Sequence, residues 1–574
     1  MRTERLLPLL LLPCLLSAER KLVWSDEFNG AGLPDSSKWT YEQGRVRNRE
    51  AQFYTASRAE NARLENGHLV IESRKERWQG ADYTSASLTT EGKREFLYGR
   101  IEVRAKLPKG RGTWPAIWML GANMPKVGWP ACGEIDILEH VGFDPDVVHA
   151  NVHTGAYNHA QGTGKGNNTR VAGVMDGFHV YALEWTPARL EFSVDGRVYF
   201  TYLNDGAGDR SWPFDKPQYL ILNTAIGGAW GGRKGIDDTV FPARYEIDYV
   251  RVYEPEMVTV SETAGIPRVN EPVRVTADGR ERVLYVTLGA GESKTMPLDQ
   301  PLRVEPVNVT PTSEVGFLAE NSLLRANLDM RLTASGPEDS GTLRALTYKP
   351  AGVTLLRTQN RMHWAPSFQR EGARGYTSIA TWSPVQEHAR RMVDGAVFTH
   401  RKGSHTLYPE ISIEAHYRFY PGVPYFEFES LLSIVKPVDI FWLRNQEMTM
   451  DQFFTHVAWP GHYHSFEEAK PILEQTKLAK DIPWVAFFNP AKGYGFGAVV
   501  LGYGASTETN ADTQIADGAG NGKYWYRQII ARKTTPLKPG DRFREHTVFV
   551  LASSLEEFQL WERKLRQPVQ VKVH

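Results

Sequence analysis

The chain has 574 residues, with 67 Lys and Arg against 67 Asp and Glu and 41% hydrophobic residues. Its length exceeds what one hydrophobic core organises and asks for two or three domains, while the balanced charge excludes nucleic acid and an anionic membrane as general partners. The content of Trp (16), Tyr (24), Phe (25) and Gly (50) suits β-architecture and the ring-stacking walls of a carbohydrate cleft, although aromatic core must absorb most of it.

The chain opens on Arg2 and Arg5, then an almost unbroken apolar run from Leu6 to Leu16 and the small residues Ser17 and Ala18. This is the pattern of a cleavable export signal over residues 1–18, and it implies a secreted or periplasmic protein. The run is short for a membrane span, and Pro13 precedes Cys14 where a lipoprotein anchor calls for a small residue. After cleavage Cys132 is the one cysteine left, so stability must come from core area, not from an intramolecular disulfide. No later segment is long and apolar enough to be transmembrane.

Residues 19–254 read as a first domain of short antiparallel strands. Ile101, Val103, Ala105 and Leu107 alternate with Arg100, Glu102, Arg104 and Lys106, the mark of a half-buried strand. "RLEFSVDGRVYFTYL" is a hairpin, because Asp195-Gly196 supports a type I′ turn. "YEIDYVRVY" alternates again. Many short strands with regular turns make a two-sheet sandwich. Residues 255–574 stay β-rich and read as a second large β-sandwich domain, with no repeat or low-complexity linker at the boundary. There "ISIEAHYRFYPGVPYFEFESLLSIV" forms a hairpin around Pro421-Gly422, and "YGFGAVVLGYG" a glycine-loosened strand. Ser465 with Glu468 and Ser554 with Glu557 are capping boxes that start two helices, the second ending before Pro568.

The densest chemistry lies in "GEIDILEH", where Glu134, Asp136 and Glu139 fall within six residues. On a helix Glu134 would stand opposite the other two; on a regular strand Glu139 would face away from them. Only a strand with one extra residue, a β-bulge at Ile137-Leu138, brings all three to one face. Three such carboxyls repel one another unless at least one holds a proton. One carboxylate beside one carboxylic acid is what glycoside hydrolysis needs. His140 should face the opposite way and pack. Cys132, with no base in view, reads as a small buried apolar residue.

This segment resembles the active strand of glycoside hydrolase family 16 in its bulged form, as in laminarinases. Further stretches agree with the resemblance: "WSDEFNG", "NREAQFYT", "GTWPAIWMLG", "HVYALEWTPARLEFSVDG" and "PQYLILNTAIGGAWGG", collinear over residues 22–254. The resemblance implies a concanavalin-like β-jelly-roll with an open cleft. It implies Glu134 as nucleophile, Glu139 as acid and base, and Asp136 as the group that keeps their pKa values apart, with retained anomeric configuration and catalytic carboxyls ~5–5.5 Å apart. It also implies substrate contacts from Asn48, Glu50 and Gln52, alternating on one strand, and from Trp114, Trp118, Trp129, His153 and Trp230. No cofactor serves catalysis. A structural calcium is implied at the Asp248 carboxylate and the backbone carbonyls of Glu27 and Gly67.

The expected activity is a secreted endo-β-glucanase on β-1,3-linked glucan, with agar or carrageenan as other substrates the bulged motif serves and mixed-linkage glucan, whose family enzymes typically have the unbulged motif, as a further alternative. A glucan-binding protein without turnover is the rival from another class. The second half faintly resembles galactose-mutarotase and polysaccharide-lyase sandwiches. His363-Trp364, Tyr420, Arg444, His456, His462 and His464 are its candidate chemical groups, and a bifunctional hydrolase and lyase is the corresponding alternative.

Overall fold

The computed structural model describes residues 20–574 except 278, 313–315, 330–341, 357–361, 364–366, 376, 379–384, 406–407, 451–452, 476–477, 479–481, 508, 510–511 and 519–521. The export signal expected over 1–18 and Trp364 lie outside the described residues. The chain forms two compact units. One runs to Thr259 and includes Thr295–Arg303 and Lys572–His574; the other is Val260–Lys294 with Val304–Val571.

Among the described residues, seventeen strands build the two large sheets of the first unit: β1 (Leu22–Asp26), β2 (Thr40–Tyr41), β3 (Gln52–Tyr54), β4 (Ala62–Glu65), β5 (His68–Trp78), β6 (Ala81–Ser85), β7 (Ser87–Thr89), β8 (Gly99–Lys106), β9 (Thr113–Gly121), β10 (Glu134–Glu139), β11 (Val147–His153), β12 (Lys165–Arg170), β13 (His179–Trp185), β14 (Arg189–Val194), β15 (Arg197–Leu203), β16 (Gln218–Ile226) and β17 (Ala243–Tyr253). Seven form one sheet in the order β12-β11-β10-β9-β16-β7-β2, and ten form the other, β15-β14-β13-β8-β17-β5-β6-β3 with β1 on β17 and β4 on β5. All described pairings in this unit are antiparallel except β3 with β6. The result is the jelly-roll sandwich the resemblance implies.

The alternation of β8 sets the layering. Ile101, Val103 and Ala105 are buried in the core between the sheets, as is Leu107 just beyond the strand. Arg100, Arg104 and Lys106 face outward and pair with Glu102, Asp248 and Glu246. Strand β16 is buried along its whole length, because both its faces are covered. Leu220 and Leu222 enter the sandwich core, while Tyr219 and Ile221 join Ala116, Trp118, Leu120 and Cys132 in a separate apolar cluster on the other side of the sheet. The Asp195-Gly196 turn has both residues at positive φ (48° and 76°), the type I′ geometry that lets β14 and β15 twist together.

In the second unit a nine-stranded sheet carries the hairpin Tyr408–Phe419/Tyr425–Ile434 around Gly422. One face of these strands, from Ile411 to Phe428, is buried in a large apolar core. Both capping boxes start helices, Phe466–Gln475 and Leu555–Arg566. In the first, Ser465 and Glu468 bond reciprocally; in the second, Glu557 reaches Ser553 while Ser554 accepts its backbone N–H. Among the described residues no helix is long and apolar enough to cross a membrane. Tyr420 is buried beside Phe398 and Tyr425, Arg444 lies over Tyr526, and His456, His462 and His464 sit on an edge hairpin. These candidates therefore occupy three separate places.

The glycines of "YGFGAVVLGYG" have a packing reason. A Cβ on Gly497 would stand 2.4 Å from Phe558 Cε2 and 2.6 Å from Ala486 Cβ, with Phe558 wholly buried under the second helix. Gly497→Ala is expected to destabilise the chain by about 1–3 kcal/mol, measured as a lowered urea midpoint at unchanged slope.

Candidate active site

Strand β10 lies between β9 and β11, and its register breaks once. Against β9, Glu134, Ile135 and Asp136 face Leu120, Met119 and Trp118; then Leu138 faces Ile117 and Glu139 faces Ala116. Against β11, Glu134 and Asp136 face His153 and Asn151, then Glu139 faces His149. Ile137 is the extra residue. Ile135, Ile137 and Leu138 are all buried in the sandwich core, which a regular strand could not arrange for two neighbours. The bulge expected at Ile137-Leu138 is present, and it turns Glu139 back to the face of Glu134 and Asp136.

That face is a small grid. Leu120, Trp118 and Ala116 stand along β9, Glu134, Asp136 and Glu139 along β10, and His153, Asn151 and His149 along β11. Each glutamate receives an indole N–H. Trp129 Nε1 donates to Glu134 Oε2 at 2.9 Å, and Trp114 Nε1 to Glu139 Oε1 at 3.1 Å. Asn151 Nδ2 donates to Glu139 Oε2 at 2.7 Å. His153 Nε2 stands 3.5 Å from Glu134 Oε1 and 3.4 Å from Asp136 Oδ2.

Burial without a full set of partners raises all three carboxyl pKa values. Glu134 is pushed up to about 8, by desolvation first and by the Asp136 charge second, with His153 opposing. Asp136 lies well above the usual carboxylate range through burial and the Glu139 charge, and its Oδ2 accepts no hydrogen bond. Glu139 is raised by burial, partly offset by Asn151, His153 and Trp114. The three titrate as a unit that retains protons where isolated carboxyls would not.

The aromatic residues divide by role. Trp129 is 38% exposed, with one edge tied to Glu134. Trp114 and Trp230 meet edge to face at 5.7 Å, and His149 closes on Trp230 at 4.8 Å. The loop around Trp230 needs its glycines: Gly228 has φ +73°, and a Cβ on Gly231 would press on Gly227 O at 2.7 Å and Trp114 Cβ at 2.9 Å. Trp118 is only 7% exposed. The Arg47 guanidinium covers its ring at 4.7 Å, and its indole N–H donates to Asn223 Oδ1 at 2.8 Å. It stands on β9 beside Asp136, its register partner on β10.

Asn48, Glu50 and Gln52 do not alternate on one strand. Asn48 and Arg49 have positive φ (54° and 53°), Glu50 makes an isolated bridge to Gly227, and regular pairing starts only at Gln52. The reason is a long-range anchor: the Ala51 N–H donates to the Ile226 carbonyl and Gln52 Oε1 accepts from the Ile226 N–H at the end of β16, so the chain must turn before it can pair. Glu50 gathers Asn48, Gln52 and Tyr54 on its carboxylate, and burial raises its pKa. Gln52 is fully buried with both ends of its amide engaged. Asn48 is the exposed member of the three.

His140 is buried with Nδ1 on the Val147 carbonyl, as packing required. Cys132 is buried, and its thiol is pushed up to about 11 by desolvation. Residues not singled out from sequence complete the site: Asn151, His149, Asn223, Tyr54 and Arg47. Asn151 and His149 share parity with His153 along β11, a signal the strand pattern already contained.

Of the implied calcium ligands, Asp248 supplies the one carboxylate, beside the backbone carbonyls of Glu27 and Gly67. The Asp248 carboxylate is paired with Arg104, and His68 Nε2 stands 3.8 Å from its other oxygen. A cation at Asp248 would have to displace Arg104 from its carboxylate.

Comparison with known proteins agrees with this arrangement. Residues 49–251 match the profile of Glycosyl hydrolases family 16. The chain is similar to the Beta-glucanase of Rhodothermus marinus, 51% identical over 268 residues that make up 44% of this chain and 94% of that protein. It is similar to the Glucan endo-1,3-beta-glucosidase of Cryptopygus antarcticus, 37% identical over 42% of this chain and 96% of that one. Among solved structures, the laminarinase from Rhodothermus marinus aligns with 52% identity and a TM-score of 0.40, covering 41% of this chain and 97% of that chain.

The raised Glu134 pKa has a consequence for stability. Between the ordinary glutamate value of 4.5 and about 8, the folded chain keeps a proton that the unfolded chain has released, so stability falls as pH rises through this window. Glu134→Gln removes that loss. The melting temperature of the variant relative to the wild type is expected to climb from pH 5 to 8, read by scanning calorimetry; a constant difference would contradict the assignment.

Proposed function

Residues 49–251 make this chain a member of glycosyl hydrolases family 16, and on that premise we propose that it is a retaining endo-β-glucanase acting on β-1,3-linked glucan. The chain is a glycoside hydrolase whose substrate is a polysaccharide. The observation that carries the finer reading is the single face shared by Glu134, Asp136 and Glu139 across the bulge.

In this reading Glu139 donates its proton to the glycosidic oxygen while the Glu134 carboxylate attacks the anomeric carbon. The bond to the leaving chain breaks, that chain departs with a hydroxyl group, and a glycosyl ester forms on Glu134. Glu139, now ionised, takes a proton from water, whose oxygen attacks the same carbon from the side the leaving group vacated. The sugar is released with its configuration retained, and both glutamates return to their starting states.

Each environment supports its part. The Trp129 N–H and the neighbouring His153 lower the Glu134 pKa against its burial and so favour the ionised form that attacks. Burial raises Glu139 and keeps an acid available toward neutral pH. Asp136 stands between them, and its charge raises the Glu134 pKa. Trp129 and Trp114, each tied to a catalytic carboxyl through its N–H, present their rings for stacking on sugars at either side of the cleavage point. The laminarinase and endo-1,3-β-glucosidase relatives favour a β-1,3-glucan over agar or carrageenan. Export is part of the same reading and rests on Arg2, Arg5 and the apolar run from Leu6 to Leu16.

The full chain is expected to shorten laminarin to oligosaccharides internally, with the β-anomer appearing first by proton NMR. Agarose and carrageenan are expected to stay intact. Glu139→Gln should lower kcat by about 10²–10⁴-fold; unchanged turnover of laminarin in that variant would remove Glu139 from the acid role. Asp136→Asn takes a negative charge from beside Glu134, which lowers the Glu134 pKa. The rising limb of the kcat/KM pH profile should therefore move to lower pH, and a limb that stays or moves up would contradict this coupling.

A further inference from the structure

The second unit gathers His400, Glu414 and His416 on one face of its nine-stranded sheet. His400 and His416 stand opposite each other on the antiparallel strands Ala396–His405 and Tyr408–Phe419, between the pairs Phe398/Arg418 and Arg401/Ala415. Glu414 lies two residues before His416, on the same face and opposite Lys402. The alternate residues Ile411, Ile413, Ala415, Tyr417 and Phe419 are locked in the core. A slip of one residue would bury the polar set, so the register is strongly held. The two imidazole rings stack with centroids 4.8 Å apart and planes 23° from parallel. His400 Nε2 is 3.7 Å from Glu414 Oε2. One ligand atom from each of the three residues lies within 4.8 Å of the others, and all three side chains are half-buried.

We propose that His400, Glu414 and His416 form a binding site for a divalent transition-metal ion of the zinc class. Two imidazoles and one carboxylate are the donor mixture such ions take, and three protein ligands leave a position for water. Calcium and magnesium prefer all-oxygen shells and do not match it. Metal–ligand bonds of ~2.0–2.1 Å place tetrahedral donors ~3.3 Å apart. The separations here exceed that by a margin that side-chain torsions on a fixed pair of strands can close.

The neighbouring charges leave the site to these three residues. Glu429, opposite His416 on the next strand, is held by Arg418 and Arg544. Lys402 Nζ is 4.0 Å from Glu414 Oε1, on the oxygen away from His400, and 3.8 Å from Glu387. An ion here would tie two strands of the sheet together on its polar face. The site is separate from the catalytic carboxyls, which belong to the other unit.

The test is calorimetric titration of zinc chloride into the full chain after EDTA treatment and dialysis. One saturable equivalent is expected. His400→Gln and His416→Gln should each weaken it by at least about tenfold. The double variant His462→Ala/His464→Ala, which removes the histidine pair on the edge hairpin, should leave it unchanged. Cobalt(II) should give visible d–d absorption that the same two glutamine variants abolish. The proposal is overturned if no saturable binding occurs, or if binding survives His416→Gln. It is also overturned if binding is lost with His462 and His464, or with Glu134→Gln, instead. If circular dichroism shows that the histidine variants do not fold, Glu414→Gln decides: weakening of zinc binding supports the site, and unchanged binding overturns it.

Discussion

A β-strand shows its side chains to two faces in turn, and the acidic face of β10 depends on one residue that interrupts this rule. Ile137 adds a step to β10 without adding one to its neighbours. The apolar side chains of Ile137 and Leu138 then both enter the core, and Glu139 emerges beside Glu134 and Asp136. The hydrophobic effect thus does the positioning: burying two consecutive aliphatic side chains is worth a few kcal/mol, of order ~1.5–3 each. That gain helps offset the unfavourable crowding of three acids on the other face.

The crowding is what makes the face chemically active. Carboxyls that are buried and near one another cannot all be ionised, so protons stay on the trio at a pH where free glutamates have lost theirs. The surroundings then break the symmetry. Glu134 meets an indole N–H and a histidine, Glu139 an indole N–H and an amide, and Asp136 stands between them with an oxygen that accepts nothing. The donors come from three sources: Trp114 from β9, Asn151 and His153 from β11, and Trp129 from the loop before β10. Strain in any of these elements would reach the acids directly.

Much of this was legible in the sequence because it obeys short-range rules. The parity of Glu134, Asp136 and Glu139 required the bulge; Asp195-Gly196 required its turn; Ser465 and Ser554 marked helix starts. What was hidden depends on contacts between distant parts of the chain. Nothing local says that Arg47 will lie across the Trp118 ring. Asn48 and Arg49 read as strand, yet the anchoring of Ala51 and Gln52 to Ile226, far along the chain, forces a left-handed turn. Nothing local pairs Asp248 with Arg104 on the adjacent strand. In the second unit the pairing of His400 with His416 follows from strand register, which the hairpin sequence between them did not fix.

In the proposed reaction the bulged strand delivers Glu134 as the nucleophile and Glu139 as its acid partner. Covalent trapping separates the two roles: the chain is incubated with an activated 2-deoxy-2-fluoro β-1,3-glucobioside and digested, and the labelled peptide is sequenced by mass spectrometry. One glycosyl adduct is expected, on Glu134. An adduct on Asp136 or Glu139, or turnover of laminarin with inversion and no adduct, would contradict it.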